Sequence, residues 1–283
     1  MKIKYWGTAA AEGIPGIFCA CPVCNEARVR GGRFVRARSQ VVLDDELLID
    51  FGPDTYLNSL KYGADISKLT DLLVTHTHMD HYYPADFLMR LRGFCNPMEN
   101  ACLTVHGSPD IEAVAAVDWQ SRGYDFQKVV DSGRIAFDVI KPYESREILG
   151  FKVTPLPATH GTENPYVYIL EKGGKTMLLY NDSGYLREET MEWLSENGVK
   201  FDLVSYDCTY GNRDADGGRN HMGIPNNLEA RKRFIENGNY KDSTVSVITH
   251  FSHNGSDVGY GDMLKIAEEN GFVLAYDGLE IEF

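Results

Sequence analysis

Between Thr75 and His81 the chain reads Thr75-His76-Thr77-His78-Met79-Asp80-His81, directly after the apolar run Leu72-Leu73-Val74. In an extended chain alternate residues share a side, so His76 and His78 can face one point. Asp80 and His81 follow at the next turn and can face a neighbouring point. Imidazole and carboxylate together suit Zn, Mn or Fe ions, and two adjacent points imply a dinuclear site. Other ligand-type residues repeat this placement. His160 follows the strand-like run Phe151 to Leu156, Asp182 follows Thr176 to Tyr180, and His250 follows Val245 to Thr249. His221 lies in a polar loop beyond Leu203 to Asp207. Side chains at the same ends of neighbouring strands converge, as active sites on sheet proteins commonly do. One such histidine alone is more often a satisfied surface or core residue; that reading does not account for the whole set.

A second cluster is made of thiols. Cys19-Ala20-Cys21-Pro22-Val23-Cys24 has C-x-C-x-x-C spacing. Three thiolates need a fourth ligand to close a tetrahedral zinc site. His253, three residues after His250, is the candidate, since that offset lets one histidine face the first cluster and the other face away. Three free thiols so close together would be a redox liability without a metal. Of the eight histidines, only His106 falls outside these sets.

The run His76-x-His78-x-Asp80-His81, followed by His160, Asp182 and His250, resembles the metal-binding signature of the metallo-β-lactamase superfamily. The resemblance implies an α/β fold, an αβ/βα sandwich of two mixed sheets flanked by helices, with the metals at one edge. It implies that His76, His78 and His160 bind one metal, that Asp80, His81 and His250 bind the other, and that Asp182 bridges both. A narrower likeness is to the PhnP-type cyclic phosphodiesterases. It is carried by Glu12-Gly13-Ile14-Pro15, the cysteine cluster, Arg219-Asn220-His221, Thr249-His250-Phe251-Ser252-His253 and Tyr276-Asp277-Gly278-Leu279-Glu280. This implies a structural zinc on Cys19, Cys21, Cys24 and His253. It also implies that His221 contacts phosphate and assists the leaving group. His221 and Asp80 are accordingly the candidate catalytic residues. Two divalent ions (Zn, Mn or Fe) and one structural Zn are the expected cofactors. The expected reaction is hydrolysis of a small, anionic phosphodiester, cyclic esters included, by metal-bound hydroxide. Rival readings are a lactone, thioester or lactam hydrolase of the same fold, a tRNA-processing nuclease, and a non-hydrolytic iron-binding redox relative. Two departures from the family stand out: Tyr82-Tyr83-Pro84 after the signature, and a long segment from Phe94 to Ser145. Both are candidates to line the pocket mouth.

Elements that would carry these residues are legible as short runs. Strands are predicted at Ile3–Trp6, Gln40–Leu43, Glu46–Asp50, Leu72–Thr75, Leu103–His106, Phe151–Leu156, Tyr166–Leu170, Thr176–Tyr180, Leu203–Asp207, Val245–Thr249 and Leu279–Phe283. Gly173-Gly174 marks a hairpin turn. Helices are predicted at Pro84–Arg92, Pro109–Trp119 and Arg187–Asn197, the last stopped by Gly198. The elements fall into two halves, near 1–150 and 151–283, which predicts two helix-covered sheets within one domain spanning 1–283.

The bulk composition narrows the partners. The net charge is −13, with hydrophobic residues at 43%. An acidic chain disfavours long nucleic acids; only Arg28, Arg30, Arg33, Arg36 and Arg38 could form a basic patch. No stretch reaches the roughly 20 apolar residues of a membrane span, and the N-terminus lacks a signal-peptide core. A cytoplasmic protein is expected, in which a cysteine cluster points to metal before disulfide. A homodimer is left open.

Overall fold

Strands rich in Val, Ile, Leu and Tyr pair into two seven-stranded sheets, and the computed structural model describes residues 1–97 and 99–283 of them and their connections. The first sheet is built from β1 (Lys2–Gly7), β2 (Gln40–Leu43), β3 (Leu47–Ile49), β4 (Asp71–Leu73), β5 (Leu103–Gly107) and β6 (Ile135–Val139). The second holds β7 (Arg146–Ile148), β8 (Phe151–Pro157), β9 (Tyr166–Lys172), β10 (Lys175–Tyr180), β11 (Phe201–Asp207), β12 (Tyr240–Thr249) and β13 (Val273–Leu274). The last strand, β14 (Glu280–Glu282), returns to the first sheet and pairs antiparallel with β1, so the orders are β14-β1-β2-β3-β4-β5-β6 and β13-β12-β11-β10-β9-β8-β7. The halves therefore meet between β6 and β7, a few residues before the boundary near 150 that the sequence suggests, and the C-terminal strand crosses back.

Both sheets are mixed. β3, β4, β5 and β6 run parallel, as do β10, β11, β12 and β13, while the other neighbouring strands pair antiparallel. Parallel strands covered on both faces read as continuous apolar runs rather than alternating ones, and β11 is buried along its whole length. Side chains from the facing sides of the two sheets share one core that includes Ile3, Val41, Ile49, Leu73, Val153, Leu170, Leu179, Leu203 and Val247. Each outer face has its own core. On the first sheet it is Trp6, Leu72, Val105, Ile111 and Trp119 under α3 (Asp110–Ser121) and α4 (Phe126–Asp131). On the second it is Leu178, Tyr180, Val204, Tyr206 and Phe234 under α5 (Glu188–Glu196), α6 (Ile224–Glu236) and α7 (Tyr260–Glu269). The two remaining helices are α1 (Pro22–Arg30) and α2 (Thr55–Tyr62). Among the described residues no helix is long and apolar enough to cross a membrane.

Two sequence expectations are corrected. Pro84–Arg92 is a 3-10 turn over Pro84–Arg90 rather than an α-helix. Neither Tyr82 nor the long segment lines the cavity beside His160 and His221. Tyr82 is buried and donates its hydroxyl to the Ile111 carbonyl at 2.9 Å. Residues 94–145, Met98 lying outside the described residues, build β5, α3, α4 and β6 and so widen the first sheet. On the site side, Asp110 of this segment accepts from the Asn164 side chain at 3.0 Å, four residues after His160.

Candidate metal centre

The ligand-type residues gather at the C-terminal ends of strands that run in one direction. His76, His78, Asp80 and His81 follow β4, and His160 follows β8; Asp182 and His250 follow β10 and β12. Asp182 and His250 adopt left-handed backbone, at φ +52° and +63°, as does Asp50 at the end of β3, at +67°. Such positions are costly for non-glycine residues and concentrate where surrounding structure imposes them for a function. Gly52 is required for a different reason: a Cβ there would lie 2.0 Å from the Asp80 carbonyl oxygen.

Two groups of four share one carboxylate. His76, His78, His160 and Asp182 have one ligand atom each within 4.8 Å of one another, and so do Asp80, His81, Asp182 and His250. In the first, His78 Nδ1 lies 3.0 Å from Nε2 of both His76 and His160, and Asp182 Oδ2 lies 3.1 Å from His76 Nε2. In the second, His81 Nε2 lies 3.2 Å from Asp80 Oδ2 and from Asp182 Oδ2. His81 Nε2, His250 Nε2 and Asp182 Oδ1 are buried without a well-aligned hydrogen-bond partner. Buried polar atoms left in that state are exceptional. Lone pairs that converge on one point instead of on each other's protons fit metal ions, and the imidazole and carboxylate donors suit first-row divalent metals.

Charge follows this geometry in the metal-free protein. Burial alone would raise the Asp182 carboxyl, but the surrounding imidazoles, His250 and His76 foremost, hold it well below the usual carboxylate range. Burial pushes the His160 imidazole down to about 4, which leaves its nitrogen lone pairs free to coordinate. Both sets have carboxylates behind them. Asp50 lies 2.7 Å from His81 Nδ1 and accepts from the Thr75 backbone at 2.8 Å. Asp207 lies 3.2 Å from His250 Nδ1 and 3.3 Å from His221 Nδ1, with Thr209 Oγ1 2.8 Å from the His250 nitrogen. Such partners fix the tautomer and orientation of a ligating histidine. Sequence reasoning did not find Asp50, Asp207, Thr75 or Thr209. Their only signal is a polar residue at the buried end of an apolar strand. Asp207, His221, Asp182 and His250 also cluster, but Asp207 already accepts from the Met222 and Thr209 backbones and the Thr209 hydroxyl, so its lone pairs are spoken for.

His221 stands beside the cluster, its Nδ1 3.1 Å from Asp182 Oδ1. Burial opposes its charge, but the adjacent Asp182 and Asp207 carboxylates outweigh this and raise it to about 11 in the metal-free protein. A cavity of about 280 Å³ opens here, lined by His160, Gly161, Tyr210, Ala215, Arg219, Asn220 and His221.

The thiols form the second group with His253. His253 Nδ1 lies 3.6 Å from Cys19 Sγ and 3.8 Å from Cys21 Sγ, close to the roughly 3.5 Å edge of a tetrahedron with zinc bond lengths. Backbone N–H groups of Gly16, Cys21 and Cys24 point at the sulfurs at 3.2–3.4 Å, as thiolates require. Gly16 is needed because a Cβ there would come within 2.6 Å of His253 Nε2. Cys21 also caps α1, with Pro22 in the first turn. Cys21→Ser is expected to release this metal and loosen residues 12–38, at a cost of about 3 kcal/mol or more and a fall in Tm of roughly 6–12 °C. Retained zinc and unchanged resistance to limited proteolysis would rule the clip out.

Each of the five arginines has a partner within the chain, although Arg28, Arg30 and Arg33 are exposed. Arg36 is buried over Phe251 and bonds Thr8 and Ala275, and Arg38 pairs with Asp54. Arg33 stacks on Tyr276, Arg30 pairs with Glu26, and Arg28 bonds the Gly16 carbonyl. Cys208 is a buried thiol pushed up by burial, and His106 sits between Asp71 and Asp138 at 2.9 and 3.0 Å. Neither reaches the cluster groups.

Two facing mixed sheets with a His/Asp cluster along one edge define the metallo-β-lactamase class of fold. The chain belongs to the beta-lactamase superfamily, whose domain model matches residues 46–250, a superfamily made up mostly of hydrolases. Among solved structures, a diphosphatase from the PhnP family shares 21% identity at a TM-score of 0.73 over 100% of this chain and 97% of its own. Zinc-bound PqqB from Methylobacterium extorquens shares 19% at 0.73, over 100% of both chains. The short form of human tRNase Z shares 15% at 0.64, over 100% of this chain and 99% of its own. By sequence, no curated protein matches the chain.

Proposed function

We propose that the protein is a dinuclear metal-dependent phosphodiesterase for small phosphodiesters, cyclic ones included. The observation that carries this reading is the pair of four-residue groups sharing Asp182, with His221 and a small cavity alongside. His76, His78 and His160 would hold one ion, Asp80, His81 and His250 the other, and Asp182 both. Cys19, Cys21, Cys24 and His253 would hold a structural zinc. When bound, a metal pair supplies an activated water and offsets anionic charge on the substrate. The PhnP-family likeness of one structural neighbour favours a phosphorus ester over a lactam, lactone or thioester.

The chain's own residues have separable tasks. Asp207 and Thr209 hold His221 Nδ1, which leaves Nε2 to address the substrate. A charged imidazole there binds a phosphoryl oxygen and holds a proton at Nε2 for the departing alkoxide. Asp207 keeps that ring oriented. The 280 Å³ cavity lies at the small end of ligand sites, which suits a compact ester better than a folded RNA.

Metal-reconstituted protein is expected to carry three metal equivalents per chain, two in the His/Asp groups and one in the thiol group. In its Mn²⁺- and Zn²⁺-loaded forms it is expected to hydrolyse bis(nitrophenyl) phosphate and a cyclic nucleotide but not a lactam panel. A single bound metal by elemental analysis, or preferential lactam turnover, would overturn the proposal.

A further inference from the structure

The two halves of the metal centre hang on different sheets. His76, His78, Asp80 and His81 follow β4 of the first, whereas His160, Asp182 and His250 follow β8, β10 and β12 of the second. Any shift of one sheet against the other changes the distances between ligands. Apolar packing between sheets is non-directional and sets such a spacing only loosely.

Buried tyrosine hydroxyls interrupt the apolar inter-sheet core, and two of them lead toward the ligand strands. Tyr5 on β1, fully buried, reaches across and donates to Ser205 Oγ on β11 at 2.9 Å; Ser205 donates onward to Asn181 Oδ1 at 2.9 Å. Asn181 immediately precedes Asp182. Tyr168 on β9, also fully buried, reaches the other way and donates to the Val74 carbonyl at 2.7 Å. Val74 lies two residues before His76. Each sheet thus sends one tyrosine hydroxyl to the backbone or side chain that leads directly into the other sheet's ligands. Burial pushes both phenols up, so both remain donors. A third tyrosine provides contrast: Tyr166, also on β9 and buried, donates to the Ile140 carbonyl at 3.1 Å, beyond the end of β6 and away from any ligand strand.

We propose that Tyr5 and Tyr168 are positioning residues, reciprocal cross-sheet struts that set the spacing between the two halves of the metal centre. Buried, fully satisfied polar links specify one geometry where apolar contacts tolerate several. The strut from Tyr5 holds the turn that presents Asp182 in its left-handed conformation, and the strut from Tyr168 holds the end of β4 beneath Thr75 and His76. The inference rests on the ligand assignment proposed above.

The test compares Tyr5→Phe, Tyr168→Phe and Tyr166→Phe, each of which removes one hydroxyl and keeps the ring. All three are expected to lower Tm by about 2–4 °C, as the loss of one hydrogen bond does. Only the first two are expected to weaken Mn²⁺ binding at the His/Asp site, by about 10-fold each by calorimetry, and to alter the exchange-coupled Mn²⁺ signal in electron paramagnetic resonance. If either tyrosine variant fails to fold, Ser205→Ala breaks the first strut at its middle and carries the same expectation. Wild-type protein that binds no pair of Mn²⁺ ions would refute the ligand assignment. Wild-type protein that binds the pair, with Tyr5→Phe and Tyr168→Phe indistinguishable from Tyr166→Phe, would refute the struts alone.

Discussion

Asp182→Ala is expected to empty both halves of the His/Asp centre at once while leaving the thiol site filled, so that metal content falls from three equivalents per chain to one. Asp182 is the member common to both four-residue groups. Its Oδ2 lies 3.1 Å from His76 and 3.2 Å from His81, and its Oδ1 3.4 Å from His160. No other carboxylate occurs in both. Loss of a residue that merely orients a ligand costs 10–100-fold in affinity or activity, so loss of a shared ligand is expected to cost about 10³-fold or more. The fold should survive, because the side chain sits at a strand end and not in any of the three apolar cores. Elemental analysis with a turnover assay checks this. A variant that keeps both metals, or that keeps turnover at metal saturation, would remove Asp182 from its bridging role.

His221→Ala separates two tasks by the substrate it is tested on. The ring stands beside the cavity with Nδ1 held by Asp207 and Thr209, and neither four-residue metal group needs it. Metal content should therefore stay at the wild-type level. Neighbouring carboxylates raise the imidazole in the metal-free protein, and Asp207, which neither proposed metal group takes up, faces Nδ1 at 3.3 Å in support of a charged ring. With a poor alkoxide leaving group, removal of the proton it holds at Nε2 is expected to lower kcat by roughly 10²–10⁴-fold. With a nitrophenolate, which departs without a proton, the loss should be much smaller and appear chiefly in KM. Equal losses on both esters would leave phosphate binding and remove proton donation. A missing metal would instead make His221 a ligand, through the grouping it shares with Asp182, Asp207 and His250.

The centre was legible in the sequence because metal chemistry restricts residue types, and because strand ends bring side chains of like position together. Three histidines and an aspartate packed behind an apolar run have few other uses, and the thiol spacing has fewer still. The helices were less legible. α2 buries Thr55 and Asn58, which bond to Gln40 and the Gly52 carbonyl, and Ser59, which donates to the Tyr56 carbonyl, and leaves Tyr56, Leu57 and Leu60 more than 60% exposed. Apolar periodicity, the ordinary sign of a packed helix face, points the wrong way there, because a buried polar network outweighs it. α1 was hidden by the cysteines that cap and anchor it, and β6 by its mixed apolar and polar residues at a sheet edge.

Residue type and local spacing alone determined which side chains can coordinate, which strands carry them, and that two clusters are separate. Tertiary structure decided what stands behind them. Asp50 reaches His81 from 31 positions away, Asp207 reaches His250 from 43, and Tyr5 meets Ser205 across 200. No local pattern encodes such pairs, because each is set by the packing of one whole sheet on another or by the order of strands within a sheet. The same holds for His221. Its sequence surroundings show only a polar loop; two buried carboxylates, delivered by the ends of β10 and β11, face its ring and favour its charged form in the metal-free protein.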